Sequence, residues 1–206
     1  MRFSCFSIVL WSALLAGPAM AQVPSVSRAP GAYRTAAAYH RRQPQPAGSD
    51  AFYPDKRGMV VVEVPQGART TKLRFAPDSV WGFVNGKGRT TRLFRGNEYR
   101  LEYADTLCVY STSNITAGND RNGNNLLVPG ANSMGAYTNA RYFFSRGLTG
   151  LIFPLTVSYL RQAYAASNPA FVASLGKLRV DQSLVDFDRN TGLFRVTTLY
   201  HEASGH

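Results

Sequence analysis

Short runs of apolar and polar residues alternate between positions 58 and 111 and are separated by turn residues. Residues 59–64 are mostly β-branched and end at a Pro–Gln–Gly turn. Asn85–Gly86 is the dipeptide most typical of a tight β-hairpin, because both central residues of that turn need a positive φ. The pattern predicts an antiparallel meander of about five or six strands. Its other members are 72–75, 80–84, 90–94, 98–103 and 107–111.

A helical pattern follows this meander. Residues 155–166 carry apolar side chains at helical spacing. Asn168 and Pro169 end that helix and are typical of the N-cap and first position of a second helix, over 170–178. Two further apolar runs flank a polar turn and predict a terminal hairpin, 184–188 and 193–197. The whole chain therefore predicts an α+β fold, with an N-terminal antiparallel meander followed by a helix pair and a C-terminal hairpin.

The first 21 residues have the composition of a signal peptide. Arg2 precedes an apolar stretch over 6–16, and Gly17–Pro18 and then Ala-Met-Ala follow, which predicts cleavage after Ala21. The stretch is too short to span a membrane, and no later one is long enough, so we expect no transmembrane segment in the mature chain. This pattern predicts a periplasmic or secreted protein.

The remaining chain divides by composition. Residues 22–50 contain four prolines and four arginines without apolar periodicity, which predicts a flexible tail. That tail is either a plain spacer or a segment whose arginines contact an anionic surface. Residues 51–206 are expected to form a single α+β domain. Within it, the Asn/Gly-rich loop 112–141 is long enough to be either mobile or functional.

The composition adds a strong positive charge. Twenty-three Lys and Arg face 12 Asp and Glu, a net charge of +11, while 45% hydrophobic residues exclude a wholly disordered chain. Lys72, Arg74, Arg92 and Arg100 are candidate ligand-binding residues on a basic sheet face, although the spacing of two supports a shared face only for Lys72 and Arg74. Such a face suits an anionic glycan or lipid surface, or an envelope protein; a solvated face is the alternative. We expect no nucleic-acid partner for an exported chain.

The sequence also contains the residue types of a serine hydrolase. Ser133 lies in the stretch 131–135, which resembles a nucleophile elbow with alanine in place of the first glycine. Asp186 or Asp188 and then His201 follow in the order of α/β-hydrolases. The preceding Pro129–Gly130 and the antiparallel half of the chain argue against the parallel strand and helix that an elbow needs. Ser133, His201 and Asp186 are therefore weak catalytic candidates.

No metal or cofactor is expected. The C-terminal His-Glu-Ala-Ser-Gly-His is one residue longer than the zinc motif that places two histidines on one helix face. Residues 186–192 begin like a calcium loop, but their glycine comes one place late and no acid follows at the twelfth position. Cys108 would be the single cysteine after cleavage and lies in an apolar run, where it is predicted to be a small buried hydrophobe.

Two parts of the chain resemble a known group. Residues 78–83, with the hairpin after them and 107–110, are similar to a pattern in small exported proteins of Gram-negative bacteria that have no assigned function. Residues 142–145, 153–156 and 160–164 share it as well. The resemblance implies an envelope or secreted protein and gives no catalytic residues.

Three hypotheses follow from the sequence. The first is a non-catalytic envelope or secreted module that binds through a basic sheet surface. The alternative is a small serine hydrolase that uses Ser133 and His201. A structural component of a larger assembly is the third, suggested by the long tail.

Overall fold

The computed structural model describes residues 28–112, 142–179 and 181–205. They form a mixed fold of antiparallel sheets and helices, so the predicted α+β class is confirmed. Ser133 and nearly all of the loop 112–141 lie outside the described residues, as do the signal segment and the first part of the expected tail.

The larger sheet has seven antiparallel strands. Its spatial order is β1–β5–β6–β7–β8–β9–β10. The bounds are β1 Gly31–Tyr33, β5 Gly82–Val84, β6 Thr90–Phe94, β7 Asn97–Tyr103, β8 Leu107–Ser111, β9 Tyr142–Arg146 and β10 Phe153–Pro154.

A second, three-stranded sheet contains β2 (Asp50–Phe52), β3 (Val60–Gln66) and β4 (Arg69–Phe75), in the order β2–β3–β4. The six strands predicted as one meander are present, but they are divided between the two sheets. After β4, a short 3-10 turn at Pro77–Ser79 leads into β5, which pairs with β1 and β6 instead of β4.

Four helices complete the described fold: α1 (Ala36–His40), α2 (Val157–Tyr164), α3 (Pro169–Leu175) and α4 (Arg195–Ser204). Both helices of the predicted pair are present, and each is shorter than expected. Thr156 caps α2, and the Asn168 side chain accepts the backbone N–H of Phe171 at 3.0 Å, with Pro169 in the first turn of α3.

The predicted terminal hairpin is correct only in part. Its strands are two residues each, β11 (Phe187–Asp188) and β12 (Leu193–Phe194), and α4 begins at Arg195. The β-branched residues of 195–198 favour a strand locally. Tertiary packing decides otherwise, because the helix buries Val196 and Thr197 completely.

One face of the seven-stranded sheet packs on two different layers. At the β1–β5–β6 end, Phe83 and Leu93 contact Val60 and Val62 of the three-stranded sheet. At the β8–β9 end, Val109 and Phe144 are paired neighbours and pack against helices α2, α3 and α4. Both cores therefore depend on the same sheet face.

The opposite sheet face is covered at its β1–β5 end by α1. Tyr39 of this helix packs with Tyr33 and Val84, and Trp81 donates its indole N–H to the Leu148 carbonyl at 2.8 Å. The expected flexible tail over 22–50 therefore needs correction from residue 31 onward. β1 is three residues long, too short for a sequence pattern, but it pairs with β5 and is fully buried.

Candidate functional site

Lys72 and Arg74 lie on β4 in the three-stranded sheet. Their registers, opposite Glu63 and Val61, place both on one face, as predicted. Lys72 Nζ is 2.8 Å from Glu63 Oε1, and Arg74 Nε is 3.0 Å from Asp55 Oδ2. Each cation thus has a carboxylate partner, which reduces the charge that this face offers to a ligand.

Arg92 and Arg100 do not join that face, because they lie on β6 and β7 of the other sheet. Arg100 is paired with Glu102 at 3.2 Å. Arg92 is only 4% exposed. The prediction of Arg92 as a surface residue for an anionic ligand is therefore wrong, since α1 and the loop after β9 cover the sheet face on which it lies.

The buried guanidinium of Arg92 is held by neutral groups. Its Nη1 donates to the Tyr110 hydroxyl at 3.1 Å and to Ser145 Oγ at 3.4 Å, and its Nη2 donates to the Gly150 carbonyl at 2.8 Å. Among the described residues no carboxylate pairs with it, and its Nε has no partner. Three aromatic rings surround the charge: Phe94 at 5.4 Å, Tyr110 at 5.8 Å and Trp81 at 6.0 Å.

Asp186 and His201, the two predicted hydrolase residues within the described ranges, are not brought together. Asp186 pairs with Arg195, Oδ2 to Nη2 at 2.9 Å, and accepts the Ser183 backbone N–H. His201 lies on α4 and meets Asp105 instead. The assignment of Asp186 as the acid for His201 is therefore wrong; sequence order carries no information on proximity, and the short hairpin holds Asp186 at the start of α4.

His201 contributes to a small polar cluster at the turn between β7 and β8. Its Nε2 is 3.1 Å from Asp105 Oδ2 and 3.1 Å from the Tyr103 hydroxyl. In a Ser–His–Asp triad the acid and the nucleophile bind different ring nitrogens. Here both partners meet the same nitrogen, so the cluster joins α4 to the sheet rather than reproducing a triad. The cleft beside it is lined by Thr106, Tyr200 and Ser204.

The cluster alters two acidities. Burial, reinforced by the nearby Asp105 carboxylate, raises the pKa of Tyr103 to about 12. Burial alone would raise the pKa of Asp105, but the Thr106 backbone N–H and His201 outweigh it and lower that pKa. The folded state therefore favours the ionised carboxylate.

Asp105→Asn is expected to reduce the loss of stability in acid. A carboxyl whose folded pKa is depressed stabilises the fold above its unfolded pKa of about 3.9, and this contribution disappears as pH falls through the folded value. Urea unfolding at neutral pH and at about pH 3 would measure it. Between neutral pH and acid, the free energy of unfolding should fall further in the parent than in Asp105→Asn. Equal falls would contradict the lowered pKa of Asp105.

A different set of cations lies at the end of the larger sheet where β5 turns into β6. Gly31 of β1 pairs with Val84, the last residue of β5. The segment after α1 returns to the same end of the sheet, where Gly48 N–H donates to the Pro30 carbonyl at 3.0 Å. A side chain at Gly31, whose φ is +139°, would collide with the Pro46 carbonyl. The segment from Arg28 to residue 49 is therefore fitted to this end.

Helix α1 brings its own cations to this end. Thr35 caps the helix by accepting the Ala38 N–H at 3.0 Å. The Tyr39 hydroxyl lies 3.0 Å from Thr90 Oγ1, and the Arg28 guanidinium lies 4.1 Å from the centre of the Tyr39 ring. Arg28 is thus stacked beside the start of β6, and Arg41 and Arg42 directly follow the helix.

The β5–β6 turn adds two more cations. Asn85 Oδ1 accepts the backbone N–H groups of Lys87 at 3.0 Å and Arg89 at 2.9 Å. Gly88, with a φ of +74°, completes the turn. Asp50 Oδ1 accepts the Gly86 N–H at 2.6 Å and ties the turn to β2. These side-chain hydrogen bonds fix the backbone of the turn, and therefore the positions from which Lys87 and Arg89 project.

We call this set the basic end. None of its members forms an ion pair with a carboxylate within the described residues. All are exposed except Arg28, which is half-buried. The sequence indicated the arginines of the expected tail but not that their segment is joined to β5 and β6, because the pairing of β1 with β5 joins segments about fifty residues apart. The members are Arg28, Arg41, Arg42, Lys87 and Arg89.

The fold and this site define an α+β protein with an unpaired cationic end. The sequence matches no protein-family model, and comparisons with curated proteins and with solved structures gave no significant match. The resemblance to small exported proteins therefore stays a prediction. No helix in the described ranges is long and apolar enough to cross a bilayer.

Proposed function

We propose that this protein is an exported, non-catalytic binding module that holds an anionic glycan or lipid surface at its basic end. The observation that carries the proposal is a set of five cations that form no ion pair within the described residues and lie on two segments, 28–42 and the β5–β6 turn, which β1 and Tyr39 join. Unpaired exposed arginine and lysine attract polyanions over a distance set by the ionic strength. Export is supported by the signal-peptide pattern of residues 1–21.

These cations differ from the ion-paired cations of the surface. Lys72, Arg74 and Arg100 each form an ion pair with a carboxylate, which lowers the positive charge they present without removing it. At the basic end the nearby carboxylate of Asp50 accepts two backbone N–H groups, those of Ala51 and Gly86. The positive potential is therefore expected to be higher at this end than beside Lys72, Arg74 and Arg100.

Reversing two charges of the basic end is expected to remove the binding. Lys87→Glu with Arg89→Glu should weaken binding to dextran sulfate, or to vesicles with anionic lipid, by at least about tenfold at low salt, since each nearby charge contributes about 1 kcal/mol. Titration at two salt concentrations, with the two probes as separate arms, measures the loss and shows which anion source is preferred.

The matched control is Lys56→Glu with Arg57→Glu. This pair is also exposed and changes the net charge equally, but it lies in the loop after β2, beyond the end that contacts the β5–β6 turn. It should retain most of the binding. Equal losses in both variants would show a response to net charge alone, and the absence of salt-sensitive binding by the parent would reject the function.

A further inference from the structure

β4 is an edge strand of the three-stranded sheet. All seven residues, Arg69–Phe75, pair with β3, and within the described ranges no strand lies on the other side. The strand is as long as β3, and most of its side chains are exposed. Such an edge presents a row of backbone donors and acceptors to which another extended chain can bind.

The register identifies which backbone groups face outward. Ser49 N–H donates to the Glu63 carbonyl at 2.8 Å, so the backbone of Glu63 is directed toward β2 and away from β4. Its partner Lys72 is therefore in a non-hydrogen-bonded pair. Because such pairs alternate along an antiparallel ladder, the N–H and C=O groups of Thr70, Lys72 and Arg74 point away from β3.

The side chains of this edge differ between the two faces. Lys72 and Arg74 share one face, with side chains 51% and 47% exposed. On the other face lie Leu73, which is 38% exposed, and the half-buried Phe75. Arg69 adds a third cation at the start of the strand. The edge therefore carries three cations, two carboxylates that pair with two of them, and one exposed leucine. Its net charge is positive.

We propose that the β4 edge binds an extended segment of a partner protein in which acidic and apolar residues alternate. The segment adds a fourth strand to the sheet by hydrogen bonding to the outward groups of β4. Its acidic side chains lie beside the half-exposed Lys72 and Arg74, which keep their pairs with Glu63 and Asp55 and gain a second carboxylate. Its apolar side chains cover Leu73 on the other face. Opposite charges on adjacent strands stabilise such a pair.

A second copy of this chain fits the edge less well. Antiparallel pairing of two β4 strands about their centre places Lys72 opposite Lys72, and like charges directly opposite destabilise a sheet. The occupant is therefore a complementary acidic segment rather than another β4.

The test uses a fluorescent seven-residue peptide of alternating valine and glutamate, with anisotropy as the readout. Lys72→Pro and Lys72→Ala remove the same charge, but only proline removes the outward N–H, while the ladder to β3 is kept. Lys72→Pro should bind at least about tenfold more weakly than Lys72→Ala. Thermal unfolding followed by circular dichroism verifies that both variants fold.

A second measurement needs no protein variant. Backbone N-methylation of alternate peptide residues blocks one hydrogen-bonding edge, so one of the two methylation registers should abolish binding to the parent protein and the other should not. Equal binding of both registers would overturn the proposal. So would equal binding by the two Lys72 variants, undiminished binding of a peptide with lysine in place of glutamate, or dimerisation of the parent through this edge in sedimentation.

One variant separates peptide binding at the β4 edge from polyanion binding at the basic end. The variant Lys87→Glu with Arg89→Glu should bind the peptide as the parent does, because the β5–β6 turn is not part of the β4 edge. Loss of peptide binding in that variant would place the peptide at the basic end and reject the β4 edge as its site.

Discussion

Phe171→Ala is expected to lower the free energy of unfolding by about 3–5 kcal/mol, because it removes a fully buried ring from a close-packed core. Phe171 is 0% exposed. Its ring centre lies 5.3 Å from that of Tyr164 on α2 and 5.3 Å from that of Tyr200 on α4, both at edge-to-face angles. One side chain thus connects three helices, and alanine leaves a void among all of them.

Urea unfolding followed by circular dichroism measures this loss. Phe187→Ala is the matched control, since the same atoms are removed from a ring that is 53% exposed and contacts Phe194 at one edge. The control should cost less than about 1 kcal/mol. Similar losses for the two variants would show that the helices do not pack on the sheet as described.

Arg92→Ala is expected to lower the free energy of unfolding by about 2–4 kcal/mol. Removing the long side chain leaves a cavity among Trp81, Phe94 and Tyr110, and the Gly150 carbonyl loses its charged donor. Relief of the buried positive charge offsets part of this cost, which is why the expected value is not larger.

Two variants separate these contributions. Arg92→Met keeps most of the volume without the charge and should be closer in stability to the parent than Arg92→Ala. Arg100→Ala makes the same truncation on the neighbouring strand at a side chain that is 47% exposed, and should cost less than about 1 kcal/mol. If Arg92→Ala unfolded at the same urea concentration as Arg100→Ala, the hydrogen bonds and ring contacts of Arg92 would not stabilise the fold.

Local signals were sufficient for several elements. Asn168 and Pro169 define the start of α3 by capping chemistry alone. Asn85–Gly86 marks the position of the β5–β6 turn, but the positive φ expected at both residues is wrong: Gly88 has the positive φ, and the Asn85 side chain holds the turn by accepting two backbone N–H groups. These features depend on residues that are adjacent in sequence. The α+β class follows for the same reason, because strand and helix periodicities are read over a few residues.

Long-range pairing explains what the sequence did not predict. β1 is three residues between a proline-rich stretch and a short helix, and only its pairing with β5 makes it a strand. Arg92 was a candidate for a basic sheet face, but no local pattern could show that α1 and the loop containing Gly150 cover the face on which it lies. His201 and Asp105 are 96 positions apart, so no spacing rule connects them.

The pairing of β1 with β5 affects how this chain is shortened for expression. A version that starts at residue 51, where composition alone would put the boundary, lacks both β1 and the Tyr39 ring that packs on Val84. It would expose the hydrogen-bonding edge of β5 and uncover Val84, a combination that promotes aggregation. A deletion series should therefore keep everything from Arg28 onward.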